Sequence, residues 1–201
     1  MEKALIIFAR NPVLGKVKTR LASTIGNERA LHIYESLLLH TADITRQVDC
    51  DRYVFYADGV SENDIWDVSS FSKLNQKGDD LGTRMKNAFD YLFKQGYKKV
   101  IIIGSDCFEL NASIIEEAFD SLNRREAVIG PSADGGYYLL GMKKNYPFLF
   151  INKSWSTDMV YENTVNDFLQ HQVSYTALPV LHDIDTEEDW NQYKIKKQLN
   201  D

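Results

Sequence analysis

The sequence predicts an α/β fold, a three-layer α/β/α sandwich around a mainly parallel mixed sheet. Short apolar runs of strand type alternate along the chain with segments of helical periodicity. The most apolar runs, residues 4–9 and 99–104, are unbroken rather than alternating, the pattern of strands buried on both faces. Polar, charged and glycine-bearing stretches flank these runs, and folds of this class bind ligands at the carboxyl ends of their strands.

Residues 4–9 form the first strand, which Asn11-Pro12 and Gly15 end. Asn27 and Glu28 then open a helix through Thr41 or beyond, with Ala30, Ile33, Tyr34, Leu37, Leu38 and Thr41 at i, i+3, i+4 spacing. Residues 52–57 read as a second strand and 70–76 as a weaker third. Leu81, Met85, Ala88, Phe89, Leu92 and Phe93 mark the next helix, and Gly96 stops it. Strand 99–104 leads to a helix over 111–123 with Asn111 as N-cap. Strands 127–130 and 137–142 flank a Pro-Ser-Ala-Asp-Gly-Gly turn. A helix near 157–171, a short strand about 174–178 and a closing helix from Thr186 complete the order, which implies right-handed crossovers between parallel strands.

With 201 residues, 44% hydrophobic and 26% charged, the chain is expected to form a single domain over 1–201. No linker, repeat or low-complexity tract divides it. No apolar run nears the roughly 20 residues that span a bilayer, and the N-terminus lacks a signal-peptide pattern, so no membrane association is expected. Two cysteines, Cys50 and Cys107, fit a reducing cytoplasm better than a disulfide framework. The net charge is −6, without a basic stripe or stacking-aromatic motif, which argues against nucleic acid as a partner.

Against that acidic background, the loop after the first strand gathers Arg10, Lys16, Lys18 and Arg20 around Pro12 and Gly15. Any one of these cations alone is an ordinary solvated side chain; together they point to a bound anion, and phosphates suit a loop at a strand end. Carboxylates stand at other strand ends: Asp106 in Gly104-Ser-Asp-Cys, Asp134 before Gly135-Gly136, and Asp183 and Asp185 in His182-Asp-Ile-Asp. Acids beside a phosphate loop point to Mg²⁺ or Mn²⁺, because Mg²⁺ takes one or two protein carboxylates and completes its shell from substrate and water. Asp106 is also placed to accept amides of its own turn. Asp185 and Thr186 open a helix ahead of Glu187, Glu188 and Asp189, with Asp or Thr as cap; capping is the first reading of Asp185, which leaves Asp183 freer for a metal.

The two glycines after Asp134 either make a plain turn or, the favoured reading, let backbone approach a ligand and present amides. Gln76 and Arg84 flank a Gly-spaced helix entry, 76–84, from which they can reach a base or phosphate, while an Asp there caps the helix. Trp155, Ser156 and Thr157 either pack a loop or line an acceptor pocket. Cys107 has no base at a recognisable spacing and reads as a small buried residue.

The motifs Phe-Ala-Arg-Asn-Pro-Val-Leu-Gly-Lys-Val-Lys-Thr-Arg-Leu, Gly-Ser-Asp-Cys, Gly-Pro-Ser-Ala-Asp-Gly-Gly-Tyr-Tyr-Leu-Leu-Gly, Trp-Ser-Thr and Asp-Ile-Asp-Thr-Glu-Glu-Asp run in order over nearly the whole chain. This set resembles the glycosyltransferase-A-type family of radical-SAM/selenodomain-associated transferases, related to 2-phospho-L-lactate guanylyltransferase. The resemblance implies a nucleotide-diphospho-sugar transferase fold, the first loop around the nucleotide phosphates, Asp106 as a metal carboxylate and Asp183 or Asp185 as the second. One departure is Phe108, where that family usually has proline.

Three functions compete at this level. Nucleotidyl transfer from a nucleoside triphosphate to a small phosphorylated acceptor would use Lys18 and Arg20 with Asp106 in the chemistry and the whole basic loop on the leaving pyrophosphate. Glycosyl transfer from a nucleotide-sugar would need a base when the anomeric centre inverts, for which Asp134 is the candidate. A non-catalytic nucleotide-binding module is the third. The charge of the opening loop favours the first.

Overall fold

A computed structural model describes residues 1–151, 153–155 and 157–200. Seven strands form one sheet in the order β3-β2-β1-β4-β6-β5-β7, with β1 Lys3–Ala9, β2 Asp51–Tyr56, β3 Ser72–Asn75, β4 Lys99–Ile103, β5 Ala127–Pro131, β6 Tyr137–Met142 and β7 Tyr175–Ala177. Pairing is parallel from β3 through β4 and between β5 and β7; β6 alone runs antiparallel to both of its neighbours. The alternation read from the sequence therefore gives the mainly parallel mixed sheet, and the β5–β6 hairpin supplies the mixture.

Helices cover both faces. On one, Leu5, Ile7, Ile101 and Ile103 meet Tyr34 and Leu38 of α2 (Asn27–Arg46) and Ile115 and Phe119 of α4 (Ala112–Arg124). On the other, Ala4, Ile6, Val100 and Ile102 meet Met85, Phe89 and Leu92 of α3 (Leu81–Lys94) and Phe168 of α5 (Val160–Gln170). Alternate residues of β1 and β4 thus bury on opposite faces, which accounts for the unbroken apolar runs.

Asn111 caps α4 by accepting from the Ile114 amide, and Asp80 caps α3 by accepting from the Thr83 amide. Three local features depart from expectation. The basic loop ends in a short helix, α1 (Thr19–Ile25); a 3-10 turn forms at Pro147–Phe150; and α5 begins at Val160 rather than near 157. Lys153, turned inward to Thr164 Oγ1 (2.9 Å) and Asp167 Oδ2 (2.7 Å), ties the segment before α5 to that helix.

The closing helix α6 (Glu187–Asn200) docks through Phe108, whose ring stacks on Tyr193 at 4.6 Å and meets His40 of α2 edge-on at 5.5 Å. Phe108 thus stitches the C-terminal helix to the body. Among the described residues no helix is long and apolar enough to cross a membrane.

Candidate active site

A cleft of about 1060 Å³ opens where β1 and β4 end and β6 begins. The reversed β6 brings its first residue, not its last, to this rim, so the preceding Asp134-Gly-Gly turn joins the loops that follow the parallel strands.

The first wall is the basic loop. Arg10, Lys16, Lys18 and Arg20 all line the cleft, and the loop is held at its root by Tyr34 of α2. The Tyr34 hydroxyl accepts from the Arg10 amide (2.9 Å) and donates to the Arg10 carbonyl (3.1 Å). Gly15 lies in the exposed 13–16 turn, with φ of +74°, outside the cleft lining; it shapes the loop and does not touch the cleft.

The floor is Asp106 and Asp185, and its geometry corrects the expected division between the two late aspartates. The strap after β7 runs beside β5, with the Leu181 amide donating to the Pro131 carbonyl, and then crosses to β4, where the Ile184 amide donates to the Asp106 carbonyl (2.9 Å). That bond sets Asp185 beside Asp106. Capping of α6 falls to Thr186 and Asp189 instead: the Asp189 carboxylate accepts from the Asp185 and Thr186 amides, and Thr186 Oγ1 accepts from the Asp189 amide. Asp183, expected to be freer for a metal, is turned away to accept from Ser132 Oγ at 2.6 Å and does not line the cleft. Burial and the nearby charge of Asp106 push the Asp183 carboxyl up to about 7.

Between the two floor carboxylates sits Lys18. Its ammonium donates to Asp106 Oδ2 (3.0 Å) and Asp185 Oδ1 (2.9 Å), and its side chain is only 6% exposed against 43% and 44% for the aspartates. Burial alone would lower the Lys18 pKa, but the two carboxylates outweigh it and hold the ammonium above the ordinary lysine range. Burial likewise opposes the Asp106 charge, and Lys18 more than offsets it, leaving Asp106 below the usual carboxylate range. Arg20 lies 3.9 Å from Asp185 and is largely exposed. Lys18, expected among the phosphate ligands, is therefore paired with the floor, and the loop cations left to the cleft are Arg10, Lys16 and Arg20.

The remaining walls come from the other sheet face. Gln76 donates to the Phe55 carbonyl and Arg84 Nε to the Gly78 carbonyl, so both are anchored through one group while lining the cleft. Trp155 lies flat over Gly82, where a Cβ would strike the indole, and Tyr137, Asp134, Thr157 and Asp158 complete an aromatic and acidic wing. Thr157 Oγ1 is taken by the Ser154 carbonyl, and Ser156 lies outside the described residues.

The glycine pair behaves differently from expectation. Gly135, at φ +88°, backs onto the Asp158 carbonyl, and Gly136 gives its amide to Asp134 Oδ1 (2.9 Å). Their amides and surfaces are used to close the turn and latch it to the segment before α5. Cys107 is buried with its thiol on the His182 carbonyl, and burial pushes that thiol well above its ordinary range, as befits a small buried residue.

Tyr34, Tyr137 and Asp158 reach the site without having been singled out from the sequence. Tyr34 is an apolar-face helix position whose hydroxyl gives no sequence signal, whereas Asp158 directly follows the Trp-Ser-Thr motif and was legible there.

The donor set suits a hard divalent cation. Asp106 and Asp185 offer only oxygen, both face the cleft, and two carboxylates with substrate and water oxygens complete a Mg²⁺ or Mn²⁺ shell. Among the described residues no cluster of three or more acidic, His or Cys side chains is placed to hold a metal by itself, so such an ion would draw its remaining ligands from substrate.

A cleft of this make-up at the ends of this sheet belongs to a transferase with the nucleotide-diphospho-sugar transferase fold. The chain belongs to the family described as "Uncharacterized protein conserved in bacteria (DUF2064)", which matches residues 40–157. It is similar to the crystal structure of a candidate nucleotide-diphospho-sugar transferase from Desulfovibrio desulfuricans G20, with 30% identity, a TM-score of 0.89, and coverage of 97% of this chain and 87% of that one. The fold is shared with the inositol-1-phosphate CTP transferase of T. maritima (14% identity, TM-score 0.59, 96% and 93% covered). It is shared too with a manganese complex of Rv0371C from Mycobacterium tuberculosis H37Rv (12%, 0.56, 95% and 96%). No curated protein matches the chain by sequence.

Proposed function

We propose that this enzyme is a metal-dependent nucleotidyltransferase that joins a nucleoside triphosphate to a small phosphorylated acceptor and releases pyrophosphate. The observation that carries the reading is the convergence of Arg10, Lys16 and Arg20 on a cleft whose floor is the Asp106–Asp185 pair. An oxygen of the acceptor phosphate attacks the α-phosphorus, the bond to the β-phosphate breaks, and the pyrophosphate departs with the electron pair. The basic loop stabilises the charge that builds on it, and Gln76 and Arg84 steady the nucleoside end. Asp106 and Asp185 would hold a divalent cation, which would supply charge neutralisation at the phosphate oxygens. The organic part of the acceptor rests on Trp155 and Tyr137, with Asp134 and Asp158 for its hydroxyl or amino groups.

The fold relative named as a CTP transferase supports triphosphate use, as does the motif resemblance to relatives of 2-phospho-L-lactate guanylyltransferase within the radical-SAM/selenodomain-associated group. The two unpaired cysteines support a reducing, cytoplasmic setting. A second reading, glycosyl transfer from a nucleotide-diphospho-sugar, is favoured by Asp134, which keeps one carboxylate oxygen without a protein partner among the described residues.

Thermal shift with each nucleoside triphosphate and each common nucleotide-sugar, in Mg²⁺ or Mn²⁺, separates the two. Stabilisation by a triphosphate, with pyrophosphate release once a phosphorylated small molecule is added, is expected. Stabilisation by nucleotide-sugars or diphosphates alone would replace the first reading with the second.

A further inference from the structure

Lys18 stands where a metal would. Two carboxylate oxygens on different elements converge on its ammonium at 3.0 and 2.9 Å, and the side chain that reaches them is almost fully buried. A divalent ion bound to those oxygens would lie about 2.1 Å from them, in the space the ammonium fills. Two cations cannot share that position, because mutual repulsion at such a separation in a half-buried site is large. The backbone at Lys18 is also unusual: φ is +45° and ψ +46°, a left-handed conformation that a side-chain-bearing residue adopts only when its surroundings enforce it. The ion pairs to Asp106 and Asp185 are such an enforcement.

The charges settle which visitor displaces Lys18. Lys18 and the neighbouring Arg20 balance the two aspartates. A divalent ion arriving alone would leave two surplus positive charges in the floor. The same ion arriving with a triphosphate brings more than enough negative charge to receive Lys18 as it leaves.

We propose that Lys18 is the resident counter-cation of the Asp106–Asp185 pair, and that a divalent cation gains those carboxylates only when a triphosphate draws Lys18 away. Metal and nucleotide then enter together, and the floor is closed to free metal. The inference rests on the reading of Asp106 and Asp185 as the metal-holding pair.

Mn²⁺ binding, followed by electron paramagnetic resonance of the free ion and by calorimetry, tests it without turnover. On the unmodified protein, Mn²⁺ alone is expected to bind at least about tenfold more weakly than Mn²⁺ with a non-hydrolysable triphosphate analogue, after correction for metal binding to the analogue itself. In Lys18→Met, checked for folding by circular dichroism, Mn²⁺ alone is expected to bind at least about tenfold more tightly than in the unmodified protein. Lys18→Arg, which keeps the charge, is expected to stay weak. With the analogue itself seen to bind, equal affinity of the unmodified protein for Mn²⁺ with and without it would overturn the proposal, as would a folded Lys18→Met variant with no gain. Should Lys18→Met fail to fold, the comparison on the unmodified protein decides alone. Failure of the nucleotidyltransferase reading shows separately, as absence of triphosphate binding in the same titrations while Lys18→Met still tightens Mn²⁺.

Discussion

At the scale of single residues, the site turns on how a few charges are partnered. Asp106→Ala is expected to abolish metal-dependent turnover while the protein stays folded, since Lys18 keeps Asp185 as a partner; retained turnover with normal Mg²⁺ dependence would remove Asp106 from the chemistry. Lys16→Ala and Arg20→Ala remove loop cations left to the cleft, and each is expected to weaken triphosphate binding about tenfold, the worth of one charge-assisted contact. Calorimetry in which both variants bind as the parent does would dismiss the phosphate wall. The charged residues of the cleft were legible because a cluster of cations on an acidic chain, and acids at strand ends, stand out in a sequence. Their pairing was not legible. Whether Asp183 or Asp185 faces Asp106 depends on one backbone bond from Ile184 to Asp106 between distant segments, and a one-dimensional reading cannot choose between Asp185 and Thr186 as the helix cap.

At the scale of elements, strand runs and helical periodicities were legible throughout, because apolar spacing directly encodes which face is buried. What escaped were short pieces without a period of their own: α1 and the Pro147–Phe150 turn, which exist because their neighbours hold them. The cap of α6 makes a local prediction. Thr186→Ala removes one half of a reciprocal cap and is expected to cost about 1 kcal/mol, read in chemical denaturation, with faster amide exchange in the first turn of α6. A loss of triphosphate binding in the same variant would show that the cap also holds Asp185 in register. Gly135→Ala sets a methyl against the Asp158 carbonyl at a positive φ, and is expected to loosen the latch between the β5–β6 turn and the segment before α5.

At the scale of the whole molecule, the C-terminal strap and the closing helix are joined to the body of the domain through Glu109. This carboxylate accepts from the His182 amide (2.9 Å) and from Lys196 of α6 (2.7 Å) and meets the His182 ring at 3.0 Å, so it fastens both the strap that carries Asp185 and the closing helix. Burial works against its charge, but Lys196 and His182 hold it below the usual range of a glutamate. A carboxyl depressed in the folded state contributes stability that is present above its unfolded value of about 4.3 and is lost as pH falls through the lower folded value. Acid titration is therefore expected to release α6 and the strap below about pH 4, followed by amide exchange or by Trp190 fluorescence, and Glu109→Gln is expected to remove that step. An unchanged acid limb in the variant would show that other carboxylates govern it.

The reversal of β6 has a consequence of another kind. Parallel strands must be joined by long crossovers, so the loops of the phosphate wall are tied to the placement of whole helices. The wing proposed to meet an acceptor instead hangs from a hairpin, whose connection can lengthen, shorten or change composition while every parallel strand keeps its register. A fold built this way can keep one donor chemistry and exchange acceptors over evolutionary time, and grafting a foreign 132–136 turn together with its 151–159 partner is the natural place to begin redirecting this enzyme.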